Sequence, residues 1–77
     1  DERYRAREHI RRVEEHTKRL RHILKRLREH EEKLRRELKP GDEITESVDR
    51  FKKIVDQFEE SIKKFETVSE ELRKSDS

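Results

Sequence analysis

Several residue types are missing or rare in this 77-residue chain, and each absence excludes a class of structure. Without cysteine, the chain has neither disulfide bonds nor thiolate metal ligands. Only 26% of its residues are hydrophobic, and no apolar run reaches the length of about 20 residues that a membrane-spanning helix needs. No charged-then-apolar segment opens the chain as a secretory signal would, so the sequence predicts a soluble protein without a targeting signal.

Glycine and proline occur once each, side by side, at Pro40 and Gly41. Proline cannot continue a helix, glycine adopts left-handed conformations at little cost, and Asp42 is a suitable N-cap for a following helix. The sequence therefore predicts one all-α domain over residues 1–77. It is an antiparallel hairpin with helices over about 2–38 and 43–74, joined by a loop over 39–42.

The few apolar residues recur every seven positions, which is typical of helices that pack in left-handed bundles. They form three parallel rows on each helix, a centre row with a flanking row on either side. The predicted interface core comprises Val13, Leu20, Ile23, Leu24, Leu27, Leu34, Phe51, Ile54, Val55, Phe58, Ile62, Phe65 and Leu72. One neighbouring helix covers only about half of so wide a stripe, which would leave the remainder exposed in a lone hairpin. Two hairpins would close a four-helix bundle, and three would close a six-helix bundle.

Polar side chains interrupt the flanking rows at regular intervals. The predicted polar network comprises His9, His16, Thr17, His30, Ser47, Ser61 and Ser69. A buried hydroxyl or imidazole without a partner costs about 1–3 kcal/mol, so we interpret these layers as hydrogen-bond networks that set register and partner choice. Buried histidines would also make the assembly weaker in mild acid. The alternative is that the histidines border the core and stay solvated, as His22 on the opposite surface is expected to do.

The sequence gives no sign of catalysis or of a bound cofactor. No two histidines have the i, i+3 or i, i+4 spacing of a helical metal site, and no glycine-rich loop is available to bind phosphate. No histidine, nucleophile and orienting acid occur at a catalytic spacing. The prediction is therefore a protein that is not an enzyme and has no metal, cofactor or small-molecule substrate.

A rival function follows from the charge of the first helix. Residues 1–39 carry 15 Lys/Arg against 9 Asp/Glu, and basic helices bind nucleic acid or anionic membranes electrostatically. Here the cations are interleaved with acids, and the lone Tyr4 offers no stacking platform. We therefore expect neither nucleic acid nor membrane as the partner, and keep the electrostatic binder as the alternative.

The chain resembles a family of de novo designed helical hairpins that pair into four-helix bundles. The resemblance is carried by histidines in Arg-Glu-His-Ile, Glu-Glu-His-Thr and Arg-Glu-His-Glu, by serines in Thr-Glu-Ser-Val, Glu-Glu-Ser-Ile and Thr-Val-Ser-Glu, and by the Lys-Pro-Gly-Asp loop. It implies a protein-interaction module whose specificity is set by buried hydrogen-bond networks. The implied partner is a second helical hairpin, either another copy of the chain, most simply as a dimer, or a designed cognate chain. Glu31 departs from this pattern, because a carboxylate is unusual on a core-facing flank.

Overall fold

The computed structural model describes residues 2–76, which form two long helices joined by one loop. Helix α1 runs over Glu2–Glu37 and helix α2 over Thr45–Asp76. They lie antiparallel in a rod measuring 61 × 15 × 13 Å. Because an α-helix rises 1.5 Å per residue, the 36 residues of α1 alone account for about 54 Å of that length. The predicted all-α hairpin is confirmed, and no strand occurs within residues 2–76.

The loop begins with a tight turn built around the single proline and the single glycine. The amide N of Asp42 donates to the carbonyl O of Lys39 at 3.0 Å, which closes the turn. Gly41 has a φ of 80°, a conformation that other residues rarely adopt. Proline followed by glycine at positive φ is the sequence and geometry of a type II turn. Proline and glycine are unfavourable within helices, and the only residue of each type lies in this turn.

A second turn separates this one from α2, so the connection covers residues 38–44 rather than 39–42. The amide N of Thr45 donates to the carbonyl O of Asp42, and the amide N of Ile44 donates to the Asp42 carboxylate, both at 3.2 Å. Asp42 therefore satisfies backbone donors ahead of the first turn of α2, as a capping residue does. Helix α2 begins at Thr45, two residues later than the start near residue 43 that the sequence predicted.

The helices meet along a narrow seam that uses one flanking row of each apolar stripe. Its buried apolar residues are Leu24 on α1 and Val48, Val55 and Ile62 on α2. Centre-row residues pack against this seam and remain partly exposed; they are Leu20, Leu27, Phe51 and Phe58. The hairpin thus covers one row of each stripe, half-covers the second in its middle turns, and leaves the third in contact with solvent.

Candidate protein-binding face

The outer row of each helix is the flanking row that the seam does not use: His9, His16, Ile23 and His30 on α1, and Ser47, Ile54, Ser61 and Val68 on α2. Together with the centre rows, these outer rows form a largely apolar surface, which we call the open face. Its exposed apolar residues are Val13, Ile23, Leu34, Ile44, Ile54, Phe65, Val68 and Leu72. Ile54 is 62% exposed and Phe65 is 53% exposed, although both residue types are usually buried in folded proteins. So many exposed large apolar side chains on one side of a molecule are uncommon among soluble monomeric proteins.

The structure divides the predicted interface core into three sets. Leu24, Val55 and Ile62 are buried in the seam, so they stabilise the hairpin itself and are closed to a partner. The half-buried residues Leu20, Leu27, Phe51 and Phe58 border both the seam and the open face. The exposed set available to a partner is Val13, Ile23, Leu34, Ile54, Phe65 and Leu72.

A shallow cleft of about 310 Å³ indents the open face on α2. Ser61, Lys64, Phe65 and Val68 line it. The Phe65 ring and the Val68 methyl groups provide apolar contact, whereas the Ser61 hydroxyl provides a hydrogen-bond donor and acceptor. The exposed lining of the cleft is predominantly apolar, so the cleft is best suited to an apolar side chain.

The predicted polar network is also divided by the fold. Thr17 and Ser69 lie buried in the seam, whereas His9, His16, His30, Ser47 and Ser61 are exposed. Within residues 2–76, no hydrogen bond joins two of these side chains. The reason is geometric, because the histidines and the two exposed serines occupy the outer rows, which do not face each other inside one hairpin. His22 is exposed, as predicted.

The two buried hydroxyls form a polar layer across the seam. Thr17 Oγ1 donates to the carbonyl O of Val13 at 2.8 Å, within its own helix. Ser69 Oγ is buried and has no hydrogen-bond partner within the described part of the chain. Both residues line a cleft of about 180 Å³ with the charged side chains Glu14, Lys18, Glu66 and Glu70. This layer interrupts the aliphatic seam toward the end of the rod that lacks the loop.

Cross-helix ion pairs run along the side of the seam away from the open face. Arg21 Nε lies 3.0 Å from Glu66 Oε2, and Arg28 donates to Asp56 at 2.7 Å and to Glu59 at 2.6 Å. Arg35 donates to Asp49 at 2.9 Å. These side chains are partly exposed, so each pair adds little stability. Together they favour one antiparallel register.

The same hydrogen bonds shift the ionisation of the groups that form them. Hydrogen bonds from Arg28 hold the pKa of Asp56 and of Glu59 below the usual values, and a bond from Arg21 does the same for the pKa of Glu66. The pKa of Arg28 is raised in turn, chiefly by its hydrogen bond to Glu59. All of these groups are therefore charged at neutral pH.

Glu31, the unexpected carboxylate on a core-facing flank, is buried in the seam and is 6% exposed. One of its oxygens lies 3.3 Å from Arg35 Nε and the other 3.6 Å from Arg28 Nη1. A buried carboxylate requires such partners, because its desolvation would otherwise be strongly unfavourable. Glu31 thus links two arginines that also reach across to α2.

Sequence reasoning missed this arginine row, although its signal was present. Arg21, Arg28 and Arg35 are spaced by seven, and each follows a seam-row residue by four positions, so they border the seam. Acidic residues on α2 lie within reach of them. Because both flanks of α1 carry heptad-spaced cations, it is the acids of α2 that indicate which flank faces the neighbouring helix.

Other kinds of site are not supported by the described residues. Within residues 2–76, no group of three or more His, Asp or Glu side chains is placed to hold a metal ion. Neither helix in this range is both long enough and apolar enough to cross a membrane. No protein-family model, curated protein or solved structure matches the chain.

Proposed function

We propose that this hairpin is a protein-interaction module that binds a second helical hairpin through its open face and closes a four-helix bundle. The observation that carries the proposal is the exposure of Ile23, Ile54, Phe65 and Leu72 on one side of the rod. Phe65 and Leu72 continue the centre row that is half-covered in the hairpin, and Ile23 and Ile54 lie in the outer rows. Burying them requires helices with the same rise and the same spacing of apolar side chains.

The dimensions of the open face are adequate for specific association. The broad side of the rod, of which the open face is a part, measures 61 by 15 Å and has a projected area of about 900 Å²; a standard protein–protein interface buries roughly 800 Å² per partner. A lone hairpin of this size also buries little apolar area relative to its conformational entropy. The resemblance to designed hairpins supports the same function. We propose in addition that the chain is itself a designed protein.

The proposal predicts association that depends on the open face. At about 0.5 M NaCl, where charge effects are screened, light scattering during gel filtration should show the mass rising with concentration above the 9.6 kDa of one chain. Phe65→Asp places a charge in the centre row and should abolish this rise. Thr67→Asp places the same charge outside the open face, at an exposed residue of the same helix, and should have little effect.

Two results would contradict the proposal. One is a chain that stays monomeric at every concentration, alone and with other hairpins, while it remains helical and melts cooperatively. The other is equal association of the Phe65→Asp and Thr67→Asp chains, because the apolar face would then play no part.

The electrostatic alternative has less support from the structure. Arg21, Arg28 and Arg35 are held by acidic residues of α2 and cannot contribute to a free basic surface. The remaining exposed cations of α1 are interleaved with acidic residues along the helix. Titration with a DNA duplex at low salt tests this alternative directly. Tight binding with a steep dependence on salt would favour it over the open face.

A further inference from the structure

A row of five cations borders the open face along α1. We call it the basic edge; its residues are Arg5, Arg12, Arg19, Arg26 and Lys33. All are exposed, and none forms an ion pair within residues 2–76. Each lies three or four residues from members of the outer row, so the edge runs beside His16, Ile23 and His30. A helix that covers the outer row of α1 must therefore lie next to five exposed cations that have no acidic partner on α2.

The hairpin's own seam shows how such a row is used. Arg21, Arg28 and Arg35 flank the seam row of α1 in the same way that the basic edge flanks the outer row. There, the neighbouring helix supplies acids within 3.0 Å of each arginine. The two flanks of α1 are thus built alike, and only one of them has its acidic counterpart in this chain.

A second copy of the chain can dock face to face through two twofold arrangements, which differ in the helix that covers α1. In the first, α1 lies antiparallel on α1 of the copy. This places the histidine-bearing outer rows together, but it also sets one basic edge against another. Five cations on each chain then face like charges along the whole interface, which opposes association.

In the second arrangement, α1 lies on α2 of the copy. The cross-helix ion pairs show which residues of α1 and α2 lie at the same height along the rod, and a copy docked in this way keeps those heights. To within about one turn, these heights bring Arg12 to Glu71, Arg19 to Lys64, Arg26 to Gln57 and Lys33 to Arg50. Two of these four pairings are repulsive and one is favourable. The histidines of the outer row would also face Val68 and Ile54, which cannot accept or donate hydrogen bonds.

We propose that the partner is a distinct helical hairpin whose edge, where it lies over α1, carries a row of acidic side chains at heptad spacing. This inference rests on the proposed function and specifies its partner. Glutamates or aspartates at that edge would pair with the basic edge as the acids of α2 pair with Arg21, Arg28 and Arg35. The basic edge then selects against self-association as well as for the partner.

A charge-reversed form of this chain serves as the probe. The edge-reversed chain carries Arg12→Glu, Arg19→Glu, Arg26→Glu and Lys33→Glu, which keep the open face intact. In the α1-on-α1 arrangement its acidic edge meets the basic edge of the parent. The control chain carries Lys18→Glu, Lys25→Glu, Arg36→Glu and Lys39→Glu, four exposed cations off this edge, and has the same net charge. Circular dichroism establishes that each chain is helical.

The parent mixed with the edge-reversed chain should form a 1:1 complex about tenfold or more tighter than the parent's self-association, and added salt should weaken it. The control chain should give no such gain. A neutral-edge chain with the same four positions changed to Gln should self-associate more tightly than the parent at low salt. This last measurement needs no oppositely charged partner.

Each remaining outcome overturns one of the two proposals. Self-association of the parent that matches the mixture and does not respond to salt would refute the acidic partner and leave the open face as an interface. Equal binding of the control chain would do the same. Absence of association in every combination, or binding of a DNA duplex instead, would refute the proposed function itself.

Discussion

Two isoleucines of α2 give a matched test of the division between seam and open face. Ile62 is 1% exposed in the seam, whereas Ile54 is 62% exposed on the open face. Truncation of Ile62 to Ala removes buried methyl groups and leaves a cavity, which should cost about 2–5 kcal/mol of unfolding free energy. Full burial of an isoleucine is worth about 1.5–3 kcal/mol, so the buried third of Ile54 contributes roughly 1 kcal/mol. The better helix propensity of Ala returns a few tenths of that.

The expected difference in a dilute hairpin is therefore about 2 kcal/mol or more between Ile62→Ala and Ile54→Ala. Urea denaturation followed by circular dichroism at about 5 μM measures it, with identical slopes required for the comparison. At concentrations where the chain associates, or with a bound partner, the cost of Ile54→Ala should rise because the partner buries the side chain. The cost of Ile62→Ala should change little.

Equal costs in the dilute hairpin would refute the assignment of seam and open face. A cost for Ile54→Ala that stays the same in the assembled state would refute the open face as the interface. The comparison in the dilute hairpin tests which row is buried in the seam, and the comparison in the assembled state tests whether the open face is the binding surface. Each comparison can be contradicted without the other.

Three further predictions follow from the same contacts. In the assembly, Phe58→Ala should cost about 3–5 kcal/mol by chemical denaturation and His22→Ala less than about 0.5, and equal costs would mean that the rows are misassigned. The carboxylates bound to Arg28 have lowered pKa values when folded, so their stabilisation is present above the unfolded pKa, near 4, and is lost as pH falls through the folded pKa. Melts at about pH 7 and pH 3 should therefore show that Arg28→Gln loses less unfolding free energy in acid than the parent does. An equal loss would mean that these ion pairs do not contribute to the pH dependence of stability. Because His16 and His30 are exposed in the hairpin, acid at about pH 5 should weaken the assembly but not the dilute hairpin, and His16→Asn with His30→Asn should reduce the effect. Equal acid sensitivity of the parent and this double variant would exclude the histidines.

The architecture was predictable because its signals are local. Pro40 and Gly41 are the only strong helix breakers, and the heptad spacing of apolar residues on either side leaves no other regular structure available. The turn that follows Asp42 was missed because it depends on hydrogen bonds from the Ile44 and Thr45 amides, and neither residue type signals a loop. Helix boundaries shift by one or two residues for such reasons.

The division of the core could not be obtained from hydrophobicity alone. Both flanking rows contain valine, isoleucine and hydroxyl residues, so Val55 and Ile54 look equally suited to the seam. Their surroundings differ by charge, because Arg28 and its acidic partners border only one flank. Glu31 looked out of place for the same reason, since its environment is set by arginines one turn away in each direction rather than by its own row.

The polar layer of Thr17 and Ser69 has a consequence for motion along the rod. On the loop side of this layer, Leu24 and Val55 tie the helices together, and separating them exposes aliphatic surface. Beyond it, the seam row of α1 offers only the half-buried Ile10. The turns of α1 near Ile10 and the turns of α2 that follow Ser69 can therefore separate more easily than the turns near the loop. Amide hydrogens in the outer turns should exchange sooner than those near Leu24, and a partner that engages the looped half first would close the rod progressively toward its termini.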